Sequence, residues 1–219
     1  MKFKAVIFDL DGTLLNSLGD IAGACNLVLR AQGLPVHQLS DYQQWVGAGM
    51  KHLLSMAVAG REDGAALVES LLPQLRQTYH ENCTDQSSLY PGIREMLTEL
   101  EAMGIQKSIL SNKPHEITKV CVGHFLHNFR FEPVLGQKEG VPAKPDPGSA
   151  LKIAQVLQRK PTEILYIGDT AIDMHTAQKA GFYPLGVAWG FRPGELKNAG
   201  ALTIGNNPGD ILELLRGNP

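Results

Sequence analysis

Cysteine is scarce and poorly placed for staples: three residues, Cys25, Cys83 and Cys121, odd in number and far apart. That spacing offers neither a disulfide framework nor a zinc-ligand pattern, and it fits reduced thiols of a cytoplasmic protein. A basic block is also missing. With 20 Lys+Arg against 22 Asp+Glu and a formal net charge of −2, nucleic acid is not an expected partner. No run of roughly 18 apolar residues occurs, and the N-terminus lacks the charged-then-apolar pattern of a signal segment. A membrane partner is therefore not expected either. No Gly-x-Gly-x-x-Gly follows the first candidate strand, which argues against a dinucleotide-dependent oxidoreductase. Internal repeats and low-complexity tracts are absent.

What is present is a chain of 219 residues with 43% hydrophobic content, enough for one sizeable core and a smaller module. It is organised around Val6-Ile7-Phe8-Asp9-Leu10-Asp11-Gly12-Thr13-Leu14. Lys4 to Phe8 is a nearly continuous apolar run, the pattern of a strand buried on both faces of a parallel sheet. Strand residues two apart point to one side, so Asp9 and Asp11 are expected to face one small volume. Two carboxylates there repel and are costly to desolvate unless a cation joins them. Mg²⁺ suits such a pair, because it takes carboxylate oxygens and keeps waters for a substrate phosphate. A carboxylate can also act as a nucleophile toward phosphorus. The plain alternative is a strand cap followed by a turn.

After this motif the pattern turns helical. Ser17 and Asp20 read as a helix start. Ile21, Cys25, Val28 and Leu29 repeat at helical spacing up to Gly33. Leu53, Leu54 and Ala57 suggest a second helix after the Gly47-Ala48-Gly49 loop, and Leu67, Leu71, Leu72, Leu75 and Tyr79 a third. No strand is expected between 16 and 87, which makes this stretch an all-helical insertion. From Tyr90 onward helices alternate with strands. Pro91 is placed for a first helical turn before Ile93, Met96, Leu97 and Leu100. Strands are expected at Lys107–Leu110, Pro133–Gly136, Ile164–Ile167, Tyr183–Val187 and Ala201–Ile204. Helices are expected around Ile117 to Cys121, from an Asp146 N-cap through Leu157, up to Gly181, and over Ile211–Leu215. This alternation predicts an α/β fold with a doubly wound parallel sheet and right-handed crossovers. Its parts are a sheet-bearing core, 1–15 and 88–219, and the helical insertion, 16–87.

Ligands of such sheets sit beyond the carboxyl ends of the strands. The first strand delivers Asp9, Asp11 and Thr13 there. The second delivers Ser111 and Asn112 beside a helix start, a hydroxyl, an amide and free N–H groups suited to phosphate oxygens. Lys144 follows, its ammonium held by flanking prolines. Asp169 and Asp173 come last, both able to face a cation from one helix start. Singly, each has a dull reading: a helix cap, a solvated lysine, acids favouring a helix N-terminus. Jointly, each at a strand end and in one order, they point to a phosphate site.

The strings Asp-Leu-Asp-Gly-Thr, Ser-Asn-Lys-Pro, Lys-Pro-Asp-Pro and Gly-Asp-Thr followed two residues on by Asp resemble the four motifs of the haloacid dehalogenase-like superfamily. The resemblance covers essentially the whole chain and implies a Rossmann-like core, 1–15 and 88–219, with a helical cap domain, 16–87, inserted after the first motif. It implies Asp9 as nucleophile and metal ligand, Asp11 as general acid/base with its backbone carbonyl on the metal, Ser111 and Lys144 as phosphate binders, and Asp169 and Asp173 as metal-site acids. Val46-Gly47-Ala48-Gly49, Tyr90-Pro91-Gly92, Ser111-Asn112-Lys113-Pro114 and Ala188-Trp189-Gly190 are similar to the phosphoglycolate phosphatase branch. The expected activity is that of a Mg²⁺-dependent phosphomonoesterase, monomer or homodimer, acting on a small phosphate ester through an aspartyl-phosphate. Sugar-phosphate phosphatases, pyrophosphatases, phosphomutases and phospho-receiver domains are the alternatives. Gly47, Ala48, Gly49 and Lys51 are candidates for substrate specificity, with His52 and Arg192 open cases. Trp189 and Phe191 are expected to pack, and His175 to lie on the surface.

Overall fold

Strand β1, Ala5–Phe8, is buried along its whole length, as its unbroken apolar run requires. The computed structural model describes residues 2–217. After β1 come a two-residue strand β2, Leu15–Asn16, and helices α1, Leu18–Ala31, α2, Leu39–Trp45, α3, Met50–Ala57, and α4, Gly64–Asn82. The chain continues through β3, Ser88–Leu89, α5, Ile93–Ala102, β4, Gln106–Pro114, α6, His115–Phe125, β5, Val134–Gln137, and α7, Gly148–Leu157. It ends with β6, Ile164–Gly168, α8, Ala171–Ala180, β7, Tyr183–Val187, β8, Thr203–Gly205, and α9, Pro208–Arg216. The main sheet has the order β5-β4-β1-β6-β7-β8, and every pair in it is parallel. The predicted doubly wound α/β architecture is therefore the observed one.

The alternation of β1 divides the core. Val6 and Phe8 join the larger apolar cluster, with Ile93, Met96, Leu97 and Leu100 of α5 and Ile211 and Leu215 of α9. Ala5 and Ile7 face the other side, against Ala150, Ile153 and Ala154 of α7 and Ala177 of α8. Burial on both faces is what a parallel sheet covered by helices demands. The larger cluster runs on into the insertion through Leu14, Leu18, Ile21, Leu53, Leu54 and Leu75.

Several local expectations are corrected. The stretch 16–87 is helical as expected apart from Asn16, but a strand pair flanks it: Leu15 pairs with Leu89 and Asn16 with Ser88, antiparallel. Two-residue strands are too short to show a period. Helix α2 was not expected; only Tyr42 of its seven residues is buried, so it has no apolar stripe to read. Pro91 lies outside α5, whose N-cap is Gly92. Asp146 does not cap α7; Pro147 does, and Asp146 Oδ1 accepts from Gly148 N at 2.8 Å. Most consequential is β4, which continues to Pro114 instead of stopping at Leu110. Its register with β5 slips there: Leu110 pairs with Leu135 and Pro114 with Gln137. Residues 111–113 thus oppose Gly136 alone, a bulge of the kind that re-aims side chains beside active sites.

Candidate active site

Strands β1 and β6 are neighbours, yet the chain leaves β1 for the β4 side of the sheet and β6 for the β7 side. Diverging connections leave a crevice at the carboxyl ends of the two strands, the ligand position of open α/β sheets. Asp9 follows β1 into it, Asp169 follows β6, and Asp173 arrives from the first turn of α8. One carboxylate oxygen from each lies within 4.8 Å of the others, and all three residues are buried. Lys144 joins them, its Nζ 2.9 Å from Asp9 Oδ1 and 2.7 Å from Asp173 Oδ1.

Three acids and one ammonium leave the group short of positive charge. Burial pushes the Asp9 carboxyl up to about 7, with Lys144 pulling it down and Asp173 adding to the rise. Burial likewise holds Asp169 well above the usual carboxylate range, helped by the charges of Asp173 and Asp9. For Lys144, burial disfavours the ammonium, but Asp173 and Asp9 outweigh it and keep the group charged. Buried carboxylates without enough counter-charge are unstable as anions. An all-oxygen cluster of this kind fits a hard divalent cation such as Mg²⁺.

The acids are held in place from both sides. Asp169 Oδ1 accepts from Thr13 Oγ1 at 3.1 Å and its Oδ2 from Phe191 N at 2.8 Å. Asp173 Oδ2 accepts from Thr170 N at 3.2 Å and Thr170 Oγ1 at 2.8 Å, a capping box at the start of α8. The helix-cap reading and the acid-cluster reading of Asp173 therefore hold together, one on each oxygen. Gly12 makes room for Asp169: it has φ +81, and a Cβ there would lie 2.2 Å from Asp169 Oδ2. Glycine meets both demands at no steric cost.

Asp11 stands apart. Asp9 and Asp11 face one cavity, as expected, but the Asp11 carboxylate is not part of the three-acid cluster. The Asp11 carboxylate instead accepts from Lys113 Nζ at 2.6 Å and Ser17 Oγ at 2.6 Å. Lys113 in turn donates to the Tyr79 hydroxyl of α4. Burial disfavours its ammonium, but the Asp11 charge prevails and holds it well above the usual lysine range.

The other expected residues divide. Ser111 and Asn112 line a cavity over Asp9 and Asp11, together with Gly47 and Gly49 of the insertion. The Asn112 side chain is committed to backbone: Nδ2 donates to Gly47 O at 2.9 Å and Lys144 O at 3.1 Å, and Oδ1 accepts from Lys144 N at 2.9 Å. Thr13 serves Asp169. Ala48 and Lys51 lie on a wider groove outside, and the exposed Lys51 pairs with Glu69, so Lys51 is not brought to the cavity. His52 and His175 are exposed. Trp189 Nε1 donates to Thr13 O at 3.0 Å. Phe191 O accepts from Gln43 Nε2 at 2.7 Å, and Arg192 Nη1 donates to Gln44 O at 2.6 Å, both ties to the insertion.

Sequence reasoning missed Lys113, Tyr79 and Ser17. Lys113 lay inside the Ser-Asn-Lys-Pro string without a role. Tyr79 was one more member of an apolar helix face, and Ser17 was read as a helix start, which it is, at the N-cap of α1, while its hydroxyl serves Asp11.

Residues 6–187 match the family model for haloacid dehalogenase-like hydrolases. A phosphoglycolate phosphatase from Pseudomonas putida is 32% identical over 195 residues, which cover 87% of this chain and 71% of that one. One from Rhodobacter capsulatus is 35% identical over 179 residues, 81% of this chain and 80% of that one. Among solved structures, a protein described as a predicted phosphoglycolate phosphatase from Haemophilus somnus superposes with a TM-score of 0.89 at 28% identity, over 98% of this chain and 99% of that one. A predicted phosphatase from Clostridium acetobutylicum gives 0.87 at 26% identity, over 99% and 100%. The acid cluster, the sheet that positions it and these likenesses agree: the chain belongs to the haloacid dehalogenase-like hydrolase family, as one of its phosphatases.

Proposed function

We propose that the protein is a Mg²⁺-dependent phosphomonoesterase for small phosphate esters such as 2-phosphoglycolate, with helices α1–α4 as a cap over the site. The observation that carries this reading is the cavity shared by Asp9 and Asp11. It measures about 50 Å³, room for a few waters. Val46, Gly47, Gly49 and Met50 line it beside the two acids, which supports a compact alcohol part on the ester.

Asp9, Asp169 and Asp173 would hold the cation, with the backbone carbonyl of Asp11 as a further ligand. When bound, Mg²⁺ supplies positive charge for the equatorial phosphoryl oxygens. Asp9 attacks phosphorus in line and forms an aspartyl-phosphate. Lys144, fixed between Asp9 and Asp173, neutralises charge on the nucleophile's side. Ser111 and the N–H groups at the end of β4 orient phosphoryl oxygens. In its protonated form Asp11 gives a proton to the leaving alkoxide, and as the resulting carboxylate it takes one from the water that cleaves the acyl phosphate. Its separation from the acid cluster supports that division of labour. The ties Gln43–Phe191, Arg192–Gln44 and Asn112–Gly47 support closure of the insertion over the bound ester. Closure excludes water and strengthens each electrostatic contact inside.

The test is a panel of phosphorylated metabolites with Mg²⁺, ranked by kcat/KM. Esters of two- or three-carbon alcohols should lead, and nucleotides and hexose phosphates should trail. A nucleotide at the head of the ranking would refute the reading.

A further inference from the structure

The wall of the cavity that faces away from the acid cluster is apolar. Ile21, Val46, Met50, Leu53 and Leu75 supply it. Among the described residues that line the cavity, Lys113 is the one cationic side chain. It is buried, with 1% of its side chain exposed. An ammonium has three N–H donors. Two are used, on Asp11 Oδ1 and on the Tyr79 hydroxyl, and no partner for the third occurs among the described residues. Lys113 stands in the β4 segment, 111–113, where the register with β5 slips.

We propose that Lys113 and Tyr79 recognise a carboxylate carried on the leaving-group end of the substrate. This inference rests on the phosphomonoesterase reading above and names the residues that choose the ester. An anion entering an apolar cavity is stable only where a donor or counter-charge faces it. The Lys113–Tyr79 pair is where that condition is met. The position is right as well. Asp11 protonates the ester oxygen, and Lys113 touches Asp11. In a 2-phosphoglycolate-type ester the carboxylate carbon is two bonds from that oxygen, which brings the carboxylate to the ammonium while phosphorus stays at Asp9. Tyr79 belongs to α4, so it adds its hydroxyl only when the insertion lies over the site. A neutral ester of the same length reaches the same phosphoryl machinery but leaves the third N–H of Lys113 without a partner. An unmet hydrogen bond to a charged group is worth roughly ten- to a hundredfold in affinity.

The experiment is calorimetric titration of the non-reacting Asp9→Asn protein, with Mg²⁺, using 2-phosphoglycolate and ethyl phosphate. The quantity read is the ratio of the two affinities. It should favour 2-phosphoglycolate in Asp9→Asn and fall by about thirtyfold when Lys113→Met is added. Tyr79→Phe, which keeps the ring and the lysine, should lower the ratio by roughly three- to tenfold. A ratio unmoved by both substitutions, or no preference for 2-phosphoglycolate in Asp9→Asn, overturns the assignment. Hydrolysis of p-nitrophenyl phosphate by the unmodified chain reports on the parent reading separately. Turnover with an unmoved ratio removes only the carboxylate site. A ratio that collapses in a chain without turnover keeps the anion site and removes the reaction.

Discussion

Lys113 Nζ lies 2.6 Å from Asp11 Oδ1, and this contact separates the two strand-end acids into different environments. Asp9 sits with Asp169, Asp173 and Lys144. Asp11 sits with Lys113 and Ser17. Two carboxylates two residues apart thus face different chemistry, the arrangement by which enzymes assign different roles to like groups.

Asp9→Asn should leave no turnover and no phosphoenzyme. The amide is nearly isosteric and removes one of three crowded negative charges, so metal-free stability should stay within about 1 kcal/mol of the parent. Acid-quench mass analysis and thermal melting check the two halves. A phosphoenzyme trapped in Asp9→Asn, on whichever residue, would reassign the nucleophile.

Asp11→Asn should fail differently. Proton transfer contributes roughly a hundred- to ten-thousandfold, so turnover of alkyl phosphates should fall by that much. With p-nitrophenyl phosphate the first step needs little protonation, and a burst of nitrophenolate should precede a slow steady state. Rapid-mix absorbance shows the burst; equal losses on both substrates without one would mean that Asp11 is not the proton carrier.

Lys144→Met should destabilise the metal-free protein by about 3–5 kcal/mol, the usual effect of removing one member of a buried ion pair. Asp9 and Asp173 lose their shared partner while Asp169 stays close. Millimolar Mg²⁺ should return part of the loss. Denaturant melts with and without Mg²⁺ read this directly, and a loss under 1 kcal/mol would place little of the site's electrostatic balance on Lys144.

Metal and pH should be linked. The Asp9 carboxyl is 3.8 in its ordinary state and about 7 in the fold. Between those values the folded protein holds a proton that the unfolded chain has lost. Stability of the metal-free protein should therefore fall as pH rises from about 4 to 7, by at most ~1.4 kcal/mol per pH unit for one proton. Mg²⁺ competes with that proton, so its stabilisation should grow over the same interval. Thermal melts across pH with chelator or Mg²⁺ test it. A chelated protein that gains stability over this range would contradict the sign.

Gly12→Ala should damage the acid cluster specifically. The new Cβ meets Asp169 at 2.2 Å in a backbone at φ +81. Strain of this kind costs about 1–3 kcal/mol, and Mg²⁺ affinity should drop with it. A titration that finds parental affinity would show that Asp169 can shift without loss.

The chain's order of strands and helices was legible because it rests on local patterns. Val6 to Phe8 and Ile164 to Ile167 are unbroken apolar runs, and buried parallel strands must be so. Asp9, Asp169 and Asp173 were legible for a related reason: each stands at the end of such a run or one helical turn beyond it, where the sheet's topology sends ligands. Helix α2 and the β2–β3 pair were not legible, since a helix with one buried residue and a strand of two residues carry no period.

The partition of the two acids belonged to the tertiary structure alone. Sequence spacing placed Asp9 and Asp11 on one small volume, and they share a cavity, but spacing does not name the partner of each. Lys113 meets Asp11 across 102 residues of sequence, from the segment where β4 slips against β5. Tyr79 of α4 meets Lys113 of β4 across 34 residues of sequence. The sequence by itself determined which residue types stand at the strand ends, because burial pattern and strand order are written locally. Which carboxylate meets which ammonium was decided by long-range packing, because charges pair by distance in space and not by position along the chain.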